Sequence, residues 1–550
     1  MKVSIAAAMA AGCALLASCG GSGGGDAGFA VTPANTYVAA RDILQVTGGE
    51  LAASADSSAD LRVFKAIPFA APPVGALRWR VPQPVAAWTG VRRSDNFSAA
   101  CVAGNRPAAR PGSILYQTTE AQSEDCLYLN VWTGAAAGAT EKRPVMMLVY
   151  GGGFQVGSAS KPNYEGTGLA AKGAVVVTFN YRLGPLGFLA HPELTAESGR
   201  NASGNYAAHD AIAALQWIKA NIASFGGDPD NVTVYSESAG AQIAGVLLAS
   251  PRAAGLFHRM NLSSLGGMPA GANATTLAQA EAAGTTYATN LGAANLAAMR
   301  AKPAAEVMAA AGSSIALIVD GDVLPDQVDL LFARKQFNDV PLLLGWNADE
   351  GTPYPAFATT VAGYDATANT RYGAMAAQFK AAYPVASDAD VLAMAYSPMR
   401  DGTFAWNPWT TARAHAVRSS HRTWLYHFTR RPAYYPGQRF NEQDPPEKFG
   451  AYHSLEQVYF YNNLDRSAPA RPYDATDRRI SDISSSYLVN FARTGNPNGD
   501  GLPAWPAFTG PSSQAMEIGD VIAPMAVPNR AGLDFFDAFY TQNLGRPLPF

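Results

Sequence analysis

The chain has 550 residues and a formal net charge of −3, with 40 Lys and Arg against 43 Asp and Glu. This near balance provides no basic surface for nucleic acid or for an anionic membrane, so we predict no nucleic-acid partner. Hydrophobic residues make up 48% and aromatic residues 10% of the chain, which is typical of a large packed core and excludes a disordered protein. No apolar run reaches the ~20 residues that a membrane-spanning helix needs.

The first residues have the composition of an export signal followed by a tether. Lys2 gives a positive start, an Ala-rich apolar run follows, and Leu-Ala-Ser-Cys at 16–19 resembles the lipobox of bacterial lipoproteins. We predict a lipoprotein signal peptide at 1–18, a lipidated Cys19, a Gly/Ser-rich tether at 19–35 and a single catalytic domain at 36–550. The alternative is an ordinary secretory signal that is cut elsewhere. On our prediction the protein is exported and touches a bacterial membrane only through its N-terminal lipid anchor.

Two further cysteines, Cys101 and Cys126, flank a stretch rich in Gly and Pro. In an oxidising compartment we expect them to form a disulfide, and closing this loop contributes about 3 kcal/mol by chain entropy. The alternative is a pair of buried free thiols.

Five short apolar runs without alternation predict strands that are covered on both faces. They are Val145–Tyr150, Val175–Tyr181, Val232–Tyr235, Pro341–Gly345 and Thr423–Phe428. Before the third run, residues 205–224 place apolar side chains mainly on one helical stripe, and Phe-Gly-Gly-Asp-Pro at 225–229 ends that helix. Strands that alternate with helices predict an α/β fold with a large, central, mostly parallel sheet flanked by helices.

The segment 231–240 reads Asn-Val-Thr-Val-Tyr-Ser-Glu-Ser-Ala-Gly and leads into an Ala-rich helical run. A strand, a sharp turn and a helix form the context of a nucleophile elbow, which exposes a serine hydroxyl and requires small residues two positions before and after it. Ser238 meets this requirement, with Gly240 after it and Ser236 where the motif has Gly. Ser236 as nucleophile would have Val234 before it, which is too large for the turn. We therefore predict Ser238 as the nucleophile.

Around this turn the chain resembles the type-B carboxylesterase/cholinesterase family of α/β-hydrolases. The most recognisable matching segment is Ser-Glu-Asp-Cys-Leu-Tyr-Leu-Asn-Val-Trp at 123–132. Further segments match in the family's order, at 66–70, 72–75, 77–79, 180–182, 187–189, 320–322, 349–351 and 493–497. The resemblance implies the α/β-hydrolase fold, one large domain and the hydrolysis of carboxylic esters.

The resemblance also implies the other members of a catalytic triad, in the chain order Ser, acid, His. His453, in a Gly-bearing loop, matches the family's base, and His421 and His427 are the alternatives. Glu350 follows the predicted strand at 341–345 and matches the acid that orients the base, with Asp349 as the alternative. With Ser238, these residues would cleave an ester through an acyl-enzyme intermediate.

The glycines at 151–153 directly follow the first predicted buried strand. By resemblance, the backbone N–H groups of Gly152, Gly153 and Ala239 form an oxyanion hole. A phosphate-binding loop is the rival interpretation, but no Gly-Lys-Ser/Thr follows the glycines. Glu237 and Glu456 match glutamates that the family buries near its His, where a structural hydrogen-bond network is an equal interpretation.

The chain has no metal-ligand spacing and no dinucleotide-binding motif, so we predict no cofactor and no metal. The predicted partner is a small-molecule or bulky ester, and the sequence predicts no oligomeric state. Four aromatics, Trp346, Phe357, Trp406 and Trp409, are candidates for the substrate-pocket walls, and the alternative is that they are core residues, as aromatics in so large a protein more often are. The alternative functions are the same triad acting on an amide, thioester or lactone, and a non-catalytic binding relative of the fold. The presence of all three triad residues disfavours the non-catalytic alternative.

Overall fold

The computed structural model describes residues 42–58, 60–104 and 112–550. The predicted signal peptide, the lipidated Cys19 and the tether lie outside these residues and stay predictions, as does the domain boundary that follows them. None of the helices in the described ranges combines the length and apolar composition that a bilayer span requires.

Within the described residues, fifteen strands form three sheets. In chain order they are β1 (Ile43–Val46), β2 (Gly49–Ala52), β3 (Arg62–Pro68), β4 (Val91–Arg93), β5 (Ala100–Cys101), β6 (Gln122–Ser123), β7 (Tyr128–Thr133), β8 (Arg143–Val149), β9 (Val175–Phe179), β10 (Gly227–Glu237), β11 (Arg259–Ser263), β12 (Leu342–Asn347), β13 (Thr423–Phe428), β14 (Gln514–Ile518) and β15 (Ile522–Ala526). The main sheet has the order β15-β14-β13-β12-β11-β10-β8-β9-β7-β3, and the small sheets are β1-β2-β4 and β5-β6.

In the main sheet every neighbouring pair from β14 to β9 is parallel, and the antiparallel pairs lie at the two edges. The prediction of an α/β fold with a large, mostly parallel sheet is therefore confirmed. All five residues of β9 and all six of β12 and β13 are buried. Because strand side chains alternate between faces, this burial means that both faces of the sheet are covered there, as the runs without alternation predicted.

Helices connect these strands and cover the sheet. The longer ones are Tyr206–Asn221, Ala239–Ala249, Leu277–Asn290, Val361–Tyr372, Trp406–Arg418, Ala475–Thr494 and Arg530–Leu544. The shorter ones are Thr167–Ala170, Gly184–Phe188, Pro192–Glu197, Leu296–Ala301, Ala304–Ala309, Val328–Ala333, Ala376–Ala382, Asp388–Met394, Ser397–Met399 and Glu456–Phe460, and a π-helical turn at Arg400–Ala405 leads into Trp406–Arg418.

The predicted element bounds differ from the observed ones mainly at the ends. Strand β13 coincides with the predicted Thr423–Phe428, but β10 begins at Gly227 because that residue already pairs with Arg143 of β8, before a register shift. The helix predicted at 205–224 is α-helical over Tyr206–Asn221 and continues as a 3₁₀ turn to Phe225. Gly226 follows with φ 80°, a left-handed conformation that ends the helix.

Cys101 and Cys126 form a disulfide, with 5.0 Å between their Cα atoms, so this prediction is confirmed. The bond joins the end of β5 to the residues just before β7. The loop between the two cysteines contributes Ile114, Leu115 and Tyr116 to the cleft beside Ser238.

Candidate active site

Ser238 lies at the turn between β10 and the helix Ala239–Ala249. Its backbone has φ 55° and ψ −128°, which a non-glycine residue adopts only under strain. The turn also brings Gly240 so close to β8 that a Cβ there would overlap the Val149 carbonyl. This crowding is the reason for the small residue that the elbow pattern requires at position 240.

Ser236 occupies the place where the elbow pattern has Gly. Its side chain is buried, and its hydroxyl donates a 2.6 Å hydrogen bond to the Asn261 carbonyl of the neighbouring strand β11. A serine therefore fits this position because its one polar group finds a partner in the sheet. The same bond directs the Ser236 hydroxyl into the sheet and leaves Ser238 as the serine of the turn.

His453 connects Ser238 to Glu350. Its Nε2 lies 2.8 Å from Ser238 Oγ, and its Nδ1 lies 2.6 Å from Glu350 Oε2. All three side chains are buried, and the Phe404 ring lies against the imidazole with 4.3 Å between ring centroids. The structure thus brings together the residues that were predicted as nucleophile, base and acid.

The alternative acid and bases have other environments. Asp349 accepts a 2.8 Å hydrogen bond from the Ala451 N–H and pairs with Arg431 at 3.0 Å, so its carboxylate is engaged away from the triad. His427 is buried within β13, where burial lowers its pKa to about 3, and His421 lies exposed before that strand.

Glu350 is held by two donors besides the imidazole. Its Oε1 accepts hydrogen bonds from the Ser264 hydroxyl at 2.6 Å and from the Asn347 N–H at 2.8 Å. Burial raises the pKa of the Glu350 carboxyl to about 8, and these two donors act in the opposite direction by stabilising its ionised form. Both donors leave Oε2 directed at the imidazole.

Two further glutamates lie beside the triad, and we call Glu237, Glu350 and Glu456 the carboxylate cluster. Glu237 Oε1 is 3.2 Å from His453 Nε2 and accepts a hydrogen bond from the Ser454 hydroxyl. Burial raises the pKa of Glu237 to about 7. Burial, and then the charge of Glu350, raise the pKa of Glu456 to about 8. The three carboxyl groups are thus buried close enough to compete for protons.

The predicted oxyanion donors lie on two segments that meet at Ser238. Gly152 and Gly153 follow β8 with φ 116° and 61°, and a Cβ on Gly152 would overlap the Val156 carbonyl. Ala239 is the first residue of its helix, where the N–H has no partner within the helix and the helix dipole favours negative charge. No described residue accepts a backbone hydrogen bond from these three N–H groups.

A cleft opens beside the triad. Residues from the turn, the glycine loop and the His453 loop line it, and so do Tyr116, Lys161 and Arg471. The expectation that aromatics line the pocket is wrong for the four candidates: Trp346, Phe357, Trp406 and Trp409 are buried in the core and do not line this cleft. Their size made them better core residues than wall residues.

The sequence did not single out the residues that hold the carboxylates and form the cleft wall. Ser264 follows β11 and Asn347 ends β12, so their position at strand ends is a signal that could have found them. Lys161 and Arg471 lie in loops that are far apart in sequence and carry no motif. In the part of the chain that the structure describes, no group of three or more His, Cys, Asp or Glu could hold a metal ion.

Comparisons with known proteins agree with this fold. A model of the "Carboxylesterase family" matches residues 40–528. The chain is 39% identical over 469 residues to "Fumonisin B1 esterase" of Sphingopyxis macrogoltabida, covering 82% of each chain. It is 33% identical over 473 residues to "Para-nitrobenzyl esterase" of Bacillus subtilis (strain 168), covering 81% of this chain and 88% of that one. The solved structure "PNB ESTERASE" superposes with a TM-score of 0.72 at 28% identity, over 90% of this chain and 100% of that chain.

Proposed function

The chain belongs to the carboxylesterase family and is a carboxylic ester hydrolase, and we propose that it works through a Ser238–His453–Glu350 triad and an acyl-enzyme intermediate. The observation that carries this proposal is the unbroken chain of hydrogen bonds from Ser238 Oγ through the imidazole to Glu350. This is the arrangement in which a neutral imidazole takes a proton from serine while a carboxylate stabilises the imidazolium that forms.

In the acylation half-reaction, Ser238 Oγ attacks the ester carbonyl carbon while His453 Nε2 takes the hydroxyl proton. The carbonyl electron pair moves onto its oxygen, which the N–H groups of Gly152, Gly153 and Ala239 stabilise. The tetrahedral intermediate then expels the alcohol, and the imidazolium gives its proton to the leaving oxygen. The acyl group remains on Ser238.

In the deacylation half-reaction, His453 removes a proton from a water molecule that attacks the acyl carbon. The same N–H groups stabilise the second oxyanion, the bond to Ser238 Oγ breaks, and the imidazolium returns the proton to that oxygen. The products are a carboxylic acid and the free enzyme. Glu350 need not accept a proton in either half-reaction, since it stabilises the imidazolium by charge and by fixing its orientation.

The test is a pair of serine variants on the same strand and turn. Ser238→Ala should lower hydrolysis of a simple para-nitrophenyl ester by about 10⁴-fold or more and abolish labelling by a fluorophosphonate. Ser236→Gly is the matched control, because it removes the other serine of the turn and should keep turnover and labelling. Full activity of Ser238→Ala, or loss of labelling only in Ser236→Gly, would show that the nucleophile is assigned wrongly.

We propose further that Cys19 carries a lipid that anchors the protein outside the cytoplasm. The lipobox, the Gly/Ser tether and the Cys101–Cys126 disulfide, which an oxidising compartment favours, support this location. Cys19→Ala should move the protein from the membrane fraction to the soluble periplasmic or secreted fraction. Unchanged membrane fractionation would contradict the anchor.

For the substrate, we propose a small or bulky ester that reaches the protein outside the cytoplasm. Fumonisin B1 is the first compound for a substrate panel, because a relative with 39% identity is named as its esterase. Para-nitrobenzyl esters follow for the same reason. A panel that varies acyl length and alcohol bulk around these compounds would define the preferred ester.

A further inference from the structure

The cleft beside Ser238 contains a buried arginine that has no acidic partner. Arg471 is 5% exposed and lines the same cleft as Ser238 and His453. It forms no ion pair with any carboxylate of the described residues. A guanidinium is charged at every physiological pH, so this positive charge is a permanent feature of the cleft.

The surroundings of Arg471 are aromatic and uncharged at neutral pH. Its Nη2 donates a 2.9 Å hydrogen bond to the Tyr452 hydroxyl, and the guanidinium carbon lies 4.2 Å from the centre of the Tyr434 ring. Burial raises the pKa of Tyr434 to about 12, so this ring adds no negative charge. Nη1 is buried and makes no hydrogen bond of normal geometry, and the neutral Tyr434 hydroxyl is the polar group that stabilises the guanidinium on that side. The tyrosines therefore position the guanidinium but leave part of its hydrogen-bonding capacity unused.

A second buried cation lines the cleft. Lys161 is 4% exposed, donates to the Gln117 carbonyl, and has Glu120 Oε2 at 3.7 Å, beyond hydrogen-bond distance. Its ammonium lies 5.5 Å from the centre of the Tyr116 ring, and that ring also lines the cleft. We call Lys161 and Arg471 the cationic wall. Glu120 offsets one of its two charges in part, so the wall keeps a net positive charge.

The cationic wall is close to the reacting groups. Tyr452, which binds the Arg471 guanidinium, directly precedes the base His453 in the chain and lines the cleft with it. A substrate that presents its ester carbonyl to Ser238 therefore extends along a cleft that Arg471 also lines. Leaving a buried charged donor unpaired is unfavourable, whereas a carboxylate accepts two parallel N–H bonds from a guanidinium.

We propose that this esterase acts on esters that carry a free carboxylate, and that Arg471 binds this carboxylate with the help of Lys161. This inference rests on the proposed function, because it assigns the substrate class of the same Ser238 site. The group bound by Arg471 is a second acidic function of the substrate and takes no part in bond breaking. Its pairing with the guanidinium would fix the position of the ester over Ser238.

The experiment uses two pairs of substrates that differ only in charge. On the acyl side, the mono-para-nitrophenyl ester of glutaric acid is compared with that of glutaramic acid. On the alcohol side, the butanoate ester of para-hydroxybenzoic acid is compared with that of para-hydroxybenzamide. We expect the wild-type enzyme to prefer the carboxylate over the carboxamide in at least one pair, by about 10- to 100-fold in kcat/KM.

In Arg471→Met this ratio of carboxylate to carboxamide should fall by about 10- to 100-fold, close to the value of a charge-assisted pair. Arg478→Met is the matched control, because Arg478 is an exposed arginine that pairs with Asp465 and lies outside the cleft. It should keep the wild-type ratio. Arg471→Lys keeps the charge without the planar pair of donors and should retain part of the preference.

The outcomes separate this inference from the proposed function. Fluorophosphonate labelling and hydrolysis of the carboxamide esters test the Ser238 mechanism, whereas the charge ratio tests Arg471. A wild-type enzyme that shows no preference for the carboxylate in either pair overturns the inference, and this result does not depend on the folding of any variant. An equal loss on both members of a pair in Arg471→Met, with labelling retained, also overturns it, because the arginine would then have a structural role only.

Discussion

The carboxylate cluster and the cationic wall lie beside the same cleft, which Glu237, Lys161 and Arg471 line, but they differ in how their charges are paired. In the cluster, the carboxyl groups of Glu350 and Glu237 meet donors of the protein itself, among them Ser264, Asn347 and Ser454. In the wall, Arg471 forms no ion pair with a described carboxylate, and Lys161 pairs with Glu120 at 3.7 Å. Glu350 and Glu237 are therefore held by donors of the protein itself, whereas Arg471 has no acidic partner among the described residues.

This difference assigns separate tasks to the two regions. Groups that are preorganised by the protein can stabilise charge that develops during the reaction, whatever the ester. A charged side chain that lacks a partner in the protein contributes to substrate binding when the ligand supplies the opposite charge. Changes at Glu350 and Glu237, which contact the base, should therefore affect turnover of every ester alike, whereas changes in the cationic wall should alter the ratio between esters.

The largest effect is expected from Glu350→Gln. An amide cannot stabilise the imidazolium and favours the wrong tautomer of His453, so kcat should fall by about 10³- to 10⁴-fold for carboxylate and carboxamide esters alike. Steady-state kinetics on the two substrate pairs measures this. Asp349→Asn is the matched control, since Asp349 pairs with Arg431, and it should remain active. A fall in kcat for only one ester of a pair would contradict the separate tasks assigned to the carboxylate cluster and the cationic wall.

A smaller effect is expected from Glu237→Gln, in the pH dependence of kcat/KM. Glu237 Oε1 lies 3.2 Å from His453 Nε2, and as the pH rises through the Glu237 pKa of about 7 its negative charge stabilises the imidazolium and keeps the base protonated to higher pH. Without that charge, the acid limb of the profile should move to lower pH by about one unit. The profile of both members of a substrate pair should move together. A shift to higher pH would contradict the role of Glu237 as a negative neighbour of the base.

The smallest effect is expected from Glu456→Gln, in stability and not in turnover. Burial raises the pKa of Glu456 from 4.5 to about 8 in the folded protein, so the folded state retains a proton that the unfolded state gives up. This contribution to stability is fully present below pH 4.5 and is lost as the pH rises through about 8. Gln does not titrate, so Tm of the variant minus Tm of the wild type should increase from about pH 5 to about pH 8. A difference that is constant with pH would contradict the raised pKa.

The sequence predicted the parts of the site that are built from neighbouring residues. Ser238, Gly240 and Ala239 belong to one strand, turn and helix, and their steric requirements appear directly in the order of residues. Glu350 and His453 were found because each lies in a recognisable segment after a strand or in a loop. The strands were predicted for a similar reason, since burial on both faces leaves a run of apolar residues without alternation.

The cationic wall could not be predicted in this way. Arg471 stands between the 3₁₀ turn Leu464–Arg466 and the helix Ala475–Thr494, and Lys161 precedes a 3₁₀ turn elsewhere in the chain. Only the tertiary packing shields these two side chains from solvent and from acidic residues, and no local sequence pattern indicates that burial. The four aromatics that were candidates for the substrate-pocket walls show the same limit of sequence-based prediction. Their composition suits a pocket and a core equally, and the core contains them.

The disulfide has a consequence for proteolysis. Cys101 and Cys126 bound the loop that contributes Ile114, Leu115 and Tyr116 to the cleft. A single protease cut anywhere between the two cysteines leaves both new ends covalently attached to the body of the protein. The oxidised enzyme can therefore be nicked in this loop without release of a fragment, whereas the same cut in the reduced enzyme leaves two chains that only noncovalent contacts hold together.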